Sequence, residues 1–449
     1  MSKLIRRLLV TFLVVAGSAG FAQTTAGQKP ISSLPVSERR LISIKVKGNK
    51  RFSEDAIITT TSLLIGMTVN DDDFKKAAQR LAEAGILTDV AYTYSYSSEG
   101  IKLELNVTEA EKFVPARFED FVWFTDEELL HRIRESVPLF TGELPLTGHM
   151  ADQISDVLQA MLVENRIPGN VQYERSGKEP GPVDSILYKV EDVAIEIRSV
   201  EFTGAADAEI PALKSAARRV FDTEYSRTVL SALVQHQLLP VYFARGYLKA
   251  AIGNPQPKVV TKPSPESADG PRNLTVVDVF FAVTPGTQYK LKALEWSGNH
   301  ALSTEELQKM VRAPLGEPAN TVRLGDNLKD LQQLYGSRGY VTAAIKSIAD
   351  FDEAAGTVAI RLEVKEGYEY HMGELEFRGL DNSLMAKLRS VWKIRPGDVY
   401  DSTYLSEYLP AAHKLLPGRF DWEVSSHVTA NAKDKTVDVD LIYTVKAPK

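Results

Sequence analysis

The sequence predicts an α+β protein built from five tandem β-α-α-β-β modules, each a three-stranded mixed sheet with two helices on one face, arranged as an extended rod. Three observations carry this. A period-two apolar segment ending in glycine recurs four times along the chain. A second punctuation residue follows each of those glycines at a constant distance. The chain has 449 residues, too many for one domain at roughly 100 to 200 residues each.

The first strands set the register. Ile44 and Val46 precede Gly48, Val200 and Phe202 precede Gly204, Leu294 and Trp296 precede Gly298, and Leu375 and Phe377 precede Gly379. Apolar residues alternating with polar ones describe a strand that buries one face, and the glycine marks where the chain turns out of it. Nine positions after each glycine stand Ile57, Leu213, Leu307 and Leu388, which open a first helix. Ser53, Ser303 and Thr304 lie where its N-cap is expected, and Glu305 and Glu306 favour the positive end of the helix dipole. Eighteen positions after the strand glycine come Gly66, Gly316 and Gly397, with Asp222 in the same place in the remaining copy.

A second amphipathic helix then spans Phe74 to Ala84, Tyr225 to Ala244, Leu328 to Ser337 and Tyr404 to Leu416. Two of these end alike, at Arg245-Gly246-Tyr247 and Arg338-Gly339-Tyr340, where the glycine suits a left-handed cap. Alternating segments joined by polar turns close each unit as a hairpin, such as Val90 to Tyr96 with Ile101 to Val107, and Val341 to Ala349 with Thr357 to Val364.

A weaker copy lies between the first and third units. Asp120 stands where the glycine would be, Leu129 falls nine positions later, and FTDEEL at Phe124 to Leu129 parallels LSTEEL at Leu302 to Leu307. Gly142 comes late, which predicts a longer connection between the helices of this copy. The expected divisions are a signal peptide at 1–22, a flexible lead-in at 23–40, and modules at 41–111, 112–193, 194–287, 288–368 and 369–449. The third module carries a long hairpin loop at 253–272, rich in Pro, Ser and Lys and expected to be mobile.

Lys3, Arg6 and Arg7 precede an apolar run from Leu8 to Ala16 and a small-residue site at Gly20-Phe21-Ala22, which reads as a cleaved export signal; an uncleaved anchor is the alternative. Cys is absent, which excludes disulfides, thiolate metal sites and Cys nucleophiles. A net charge of -6 gives no general attraction to nucleic acid or anionic lipid. The seven histidines show no pair at ligand spacing, and no nucleophile elbow, Walker loop or dinucleotide fingerprint is present. No catalytic residue, metal or cofactor is expected, and no small-molecule substrate. Asp71, Asp72 and Asp73 read as the solvated first turn of a helix.

A unit of this order and length, with glycine after the first strand and Arg-Gly-Tyr after the second helix, resembles the polypeptide-transport-associated (POTRA) domain. The resemblance covers the chain from about Leu41 onward, and arrays of five resemble the periplasmic part of the bacterial protein that inserts β-barrels into the outer membrane. No residues are left here for such a barrel, so any barrel is expected in trans. The resemblance implies a non-catalytic periplasmic protein, associated with the outer membrane, that handles unfolded outer-membrane proteins or an assembly complex. The competing class is a membrane-anchored structural protein of cell division or envelope organisation; a third reading is a barrel-less remnant of an assembly protein.

Three-stranded sheets leave open edges, and those edges are the expected partner-binding surface. The second strand of each unit is the favoured edge by resemblance, with Val90, Tyr92, Tyr94, Leu248, Ala250, Ile252, Val341, Ala343 and Ile345 as contact residues. Phe121 and Trp123, which break the alternation of the diverged copy, are expected as an exposed contact. Tyr247 and Tyr340 are expected to pack structurally, and Trp296 to lie in the core.

Overall fold

A computed structural model describes residues 12–14, 30–178, 181–261, 274–418 and 420–445. The chain divides into two compact units, the first comprising 1–201, 218–231 and 254–281 and the second 202–217, 232–253 and 282–449. It is a mixed α+β protein whose sheets have three or four strands each.

In the first unit, β1 (Phe12–Val14), β2 (Leu41–Lys47), α1 (Glu54–Thr61), α2 (Asp71–Glu83), β3 (Leu87–Ser97) and β4 (Gly100–Glu109) make the first sheet and its helices. The strand order is β1-β3-β4-β2, with β2 parallel to the central β4 and β3 antiparallel to it. Next come β5 (Phe113–Phe118), α3 (Asp126–Ser136), β6 (Glu143–Pro145), α4 (Met150–Glu164), β7 (Asn170–Gly177) and β8 (Val183–Glu191), ordered β6-β5-β8-β7. The long connection that Gly142 foretold contains β6, which pairs with β5. The FTDEEL parallel is physical: Thr125 and Glu128 form a reciprocal capping box, as do Ser303 and Glu306.

The division between units crosses the next group: β9 (Ala194–Thr203), α5 (Ile210–Ala216), α6 (Arg227–Leu233), α7 (Leu239–Phe243), β10 (Ala251–Ile252), β11 (Gln256–Thr261) and β12 (Leu274–Thr284). Here β12 is central, antiparallel to β10 and β11 and paired with β9. The second unit continues with β13 (Lys290–Ser297), α8 (Thr304–Met310), α9 (Thr321–Ser337), β14 (Ala344–Asp352) and β15 (Thr357–Lys365), ordered β13-β15-β14. Last are β16 (His371–Arg378), α10 (Asn382–Val391), α11 (Tyr404–His413), β17 (Trp422–Asn431) and β18 (Thr436–Val445), ordered β16-β18-β17. Each of these two sheets has its own core, one around Leu307, Leu331 and Leu362 and one around Leu388, Tyr408 and Leu441.

The recurrence extends to individual hydrogen bonds. Leu41, Ile197, Leu291 and Met372 each donate N–H to the turn after the first helix, and each accepts in return from Gly66, Asp222, Gly316 or Gly397. Asp222 has φ +56°, so a carboxylate residue here takes the left-handed turn its three counterparts make with glycine.

Three expectations need correction. The lead-in is not flexible from Pro30 onward: Ile31 and Leu34 are buried, and the Asp71 carboxylate accepts N–H from Ile31 (3.3 Å) and Ser32 (3.4 Å). Two apolar anchors outweigh a Ser- and Pro-rich composition there; residues 24–29 lie outside the described residues. The helix expected from Tyr225 to Ala244 is instead α6, a π-turn at Val234–Leu238, and α7. Pro240, with no N–H to donate, falls where an unbroken ladder would need one. The expected loop 253–272 contains β11, which continues the pairing with β12; residues 262–273 lie outside the described residues. Of the signal peptide, only Phe12–Val14 is described, antiparallel to β3.

Candidate functional site

The corner after the first strand fixes which way every edge points. A Cβ placed on Gly298 would lie 2.2 Å from the carbonyl oxygen of Val364, and the same conflict occurs at Gly48 with Val107 (2.1 Å), Gly204 with Val283 (2.3 Å) and Gly379 with Tyr443 (2.0 Å). The central strand's backbone at that residue therefore faces the first strand. In an antiparallel ladder its partner is then a non-hydrogen-bonded pair, and the partner's N–H and C=O point away from the sheet. Val364 is opposite Ile345 in β14, and Tyr443 is opposite Val424 in β17. Counting by two, Ile345, Ser347, Ala349 and Phe351 direct their main-chain groups outward from β14, and Val424, Ser426 and Val428 from β17.

These two edges are open. β14 pairs along nine residues with β15, β17 along ten with β18, and neither has a second strand neighbour among the described residues. Most side chains of both strands are exposed, and Val428 keeps 47% of its surface in solvent. β7 differs. Its outward N–H at Val171 donates to Gln159 Oε1 of α4 (2.8 Å), and Gln159 Nε2 donates to the carbonyl of Gly169 (3.2 Å). A helix side chain thus takes the first outward rung of that edge.

The expected contact residues are not all where the alternation placed them. Val90, Tyr92 and Tyr94 lie on edge strand β3, yet their side chains are buried, and burial beside Asp71 pushes both phenols up to about 12. Only Ile345 of the β14 set and Ile252 of the β10 set are in strands. Val341 and Ala343, like Leu248 and Ala250, precede them in a turn in which Ala343 N–H donates to Tyr340 and Ala250 N–H donates to Tyr247. Phe121 is fully buried, packed edge-on to Phe118 at 6.0 Å, so its place in the expected exposed contact is corrected: the break in alternation is a turn that folds inward. Trp123 is partly buried, lines a depression with Pro255 and Pro257, and its indole N–H has no acceptor.

Tyr340 packs edge-on to buried Tyr335 at 6.1 Å, and Tyr247 to Tyr242 at 6.0 Å. Trp296 packs against the core around Leu331 while remaining partly exposed. The edge guard Gln159 was not legible, since a glutamine on a helix surface carries no signal of what it meets. Among the described residues there is no group of three or more His, Asp or Glu placed to hold a metal, and no helix long and apolar enough to cross a membrane.

Comparison with known proteins adds the family. The POTRA family model, described as surface antigen variable number repeat, matches residues 289–367, the stretch from β13 to β15. A Treponema pallidum (strain Nichols) protein described as "Putative outer membrane protein assembly factor" is 24% identical over 236 residues, covering 51% of this chain and 27% of that protein. Outer membrane protein assembly factor BamA of Nitratidesulfovibrio vulgaris is 19% identical over 426 residues, 90% of this chain and 50% of that one. The chain thus spans half or less of the length of these relatives. The crystal structure of Haemophilus influenzae BamA POTRA3-5 is 23% identical, with a TM-score of 0.45, covering 56% of this chain and 96% of that one. With one whole sheet and its helices matched by the family model, the chain is a POTRA-domain protein, similar over part of its length to outer membrane protein assembly factors.

Proposed function

We propose that the protein is a non-catalytic periplasmic binding scaffold in outer-membrane protein assembly, engaging unfolded outer-membrane polypeptides or assembly partners by strand addition at open sheet edges. The single observation that carries this is the pair of long edges at β14 and β17, each hydrogen-bonded on one side only. An extended client could add there through main-chain hydrogen bonds, which depend weakly on its side chains, as service to many clients requires. The similarity to assembly factors supports the setting. The recurring corner and turn hydrogen bonds support a division into five modules at 41–111, 112–193, 194–287, 288–368 and 369–449.

Proline substitution tests the reading because it removes one donor of known direction. Ser347→Pro with Ser426→Pro deletes two outward N–H groups, while Ile348→Pro deletes one that faces β15. Affinity for an unfolded outer-membrane barrel strand peptide should fall at least about fivefold in the double variant, roughly one net hydrogen bond, with the melting temperature little changed. Ile348→Pro should instead lower the melting temperature. Unchanged affinity in the folded double variant would overturn the proposal.

A further inference from the structure

The second unit contains a concavity of about 540 Å³ that strand addition does not use. Three arginines line it: Arg245 in the turn after α7, Arg312 just beyond α8, and Arg323 in the first turn of α9. All three are exposed, and none takes part in an ion pair among the described residues. Their printed hydrogen bonds are main-chain ones: the Arg245 carbonyl accepts from Gln288 (2.9 Å), and Arg323 N–H donates to Asn320 (2.8 Å). The guanidinium groups are therefore uncommitted.

The acidic residues of the wall do not neutralise them. Glu209 is buried and already accepts from the Tyr242 hydroxyl (2.8 Å) and the Ala206 N–H (3.3 Å). Glu317 is the other carboxylate in the lining, which leaves a surplus of positive charge on a chain whose net charge is -6. The rest of the lining is largely small and apolar, with Ala244, Ala313, Leu291 and Leu324.

We propose that this groove docks an extended acidic peptide segment of a partner protein, its carboxylates paired with Arg245, Arg312 and Arg323 and its small apolar residues on the alanine and leucine floor. Arginine forks suit carboxylates, and clusters of them are a recurrent means of reading acidic motifs. The apolar floor and the two wall carboxylates favour a peptide over a compact, highly charged phosphate. The inference goes beyond binding at sheet edges and stands or falls separately from it.

The test titrates the whole protein into a fluorescein-labelled Ala-Glu repeat decapeptide and follows anisotropy. Arg245→Gln, Arg312→Gln and Arg323→Gln together should weaken binding about tenfold or more without moving the melting temperature, because all three side chains are exposed. Wild-type binding should weaken severalfold between about 50 and about 300 mM salt. The Ser347→Pro, Ser426→Pro variant should bind this peptide as the wild type does, which separates the groove from the edges. Three results would overturn the proposal: equal binding by the triple variant, equal binding of an Ala-Lys decapeptide, or displacement of the acidic peptide by inorganic phosphate at submillimolar concentration, which would mark a small-anion site.

Discussion

Residues 113–191 and 289–367 build the same strand and helix order from different chemistry. In the second stretch the corner is Gly298, with φ +77° and a hydrogen where any side chain would strike Val364. In the first it is Asp120, whose φ is not positive and whose Oδ1 accepts the Val190 N–H at 2.8 Å. Val190 is opposite Val171, so this is the same rung that Val364 and Ile345 form. One solution leaves the central strand's backbone untouched by making room; the other reaches it with a carboxylate. The edges diverge together with the corners, since β7 is guarded by Gln159 and β14 is not. The scaffold tolerates exchange of its polar fittings, and the exchange decides which edge is available.

The largest effect should follow from forcing the glycine solution to fail. Gly298→Ala combines a left-handed backbone with a backbone clash at 2.2 Å, whereas Gly316→Ala has φ +82° but nothing within 4 Å of the new carbon. Chemical denaturation should show a loss of about 3 kcal/mol or more for the first and about 1 kcal/mol for the second. Similar losses would mean that the backbone angle, and not contact with Val364, makes glycine necessary at the corner.

A smaller effect should come from the carboxylate solution. Burial pushes Asp120 up to about 6, with the neighbouring Glu119 charge adding to the rise and the Val190 N–H opposing it. The folded state therefore holds its proton more tightly than the unfolded chain, whose value is near 3.8. Stability from this group is fully present below about 3.8 and is lost as pH rises through about 6. Asp120→Asn keeps an oxygen for Val190 and removes the titration. It should raise stability above pH 7 by about 2 kcal/mol and flatten the dependence between pH 4 and pH 6, read by denaturation at a series of pH values. A variant less stable than wild type at pH 7 would show that the charge itself holds the corner.

Much of this was legible in the residues because it rests on steric necessity. Gly48, Gly204, Gly298 and Gly379 announce the corner, since no side chain fits. Paired Thr125/Glu128 and Ser303/Glu306 announce helix starts through a bond local in sequence. What escaped depended on partners far along the chain. Asp71 holding Ile31 and Ser32 across 40 and 39 positions made a lead-in look loose. Phe121 seemed exposed because a turn that folds inward breaks alternation as surely as one that folds outward. The strand starts at β10 and β14 came late because the chain first closes a turn bonded back to Tyr247 and Tyr340, which an apolar pattern cannot distinguish from extended backbone.

The smallest effect bears most directly on why edges differ. Gln159→Ala removes the acceptor for the Val171 N–H and the donor to the Gly169 carbonyl, but water can replace both, so the stability cost should be about 1 kcal/mol. Amide exchange at Val171 should quicken about fivefold. If availability of outward main-chain groups governs strand addition, the change should also create binding where there was none to spare. In a protein whose β14 and β17 edges are blocked by Ser347→Pro and Ser426→Pro, adding Gln159→Ala should raise affinity for the same strand peptide about two- to fivefold. Faster exchange without any gain in affinity would show that an unguarded rung is not enough, and that the exposed flanks of β14 and β17 contribute what β7 lacks.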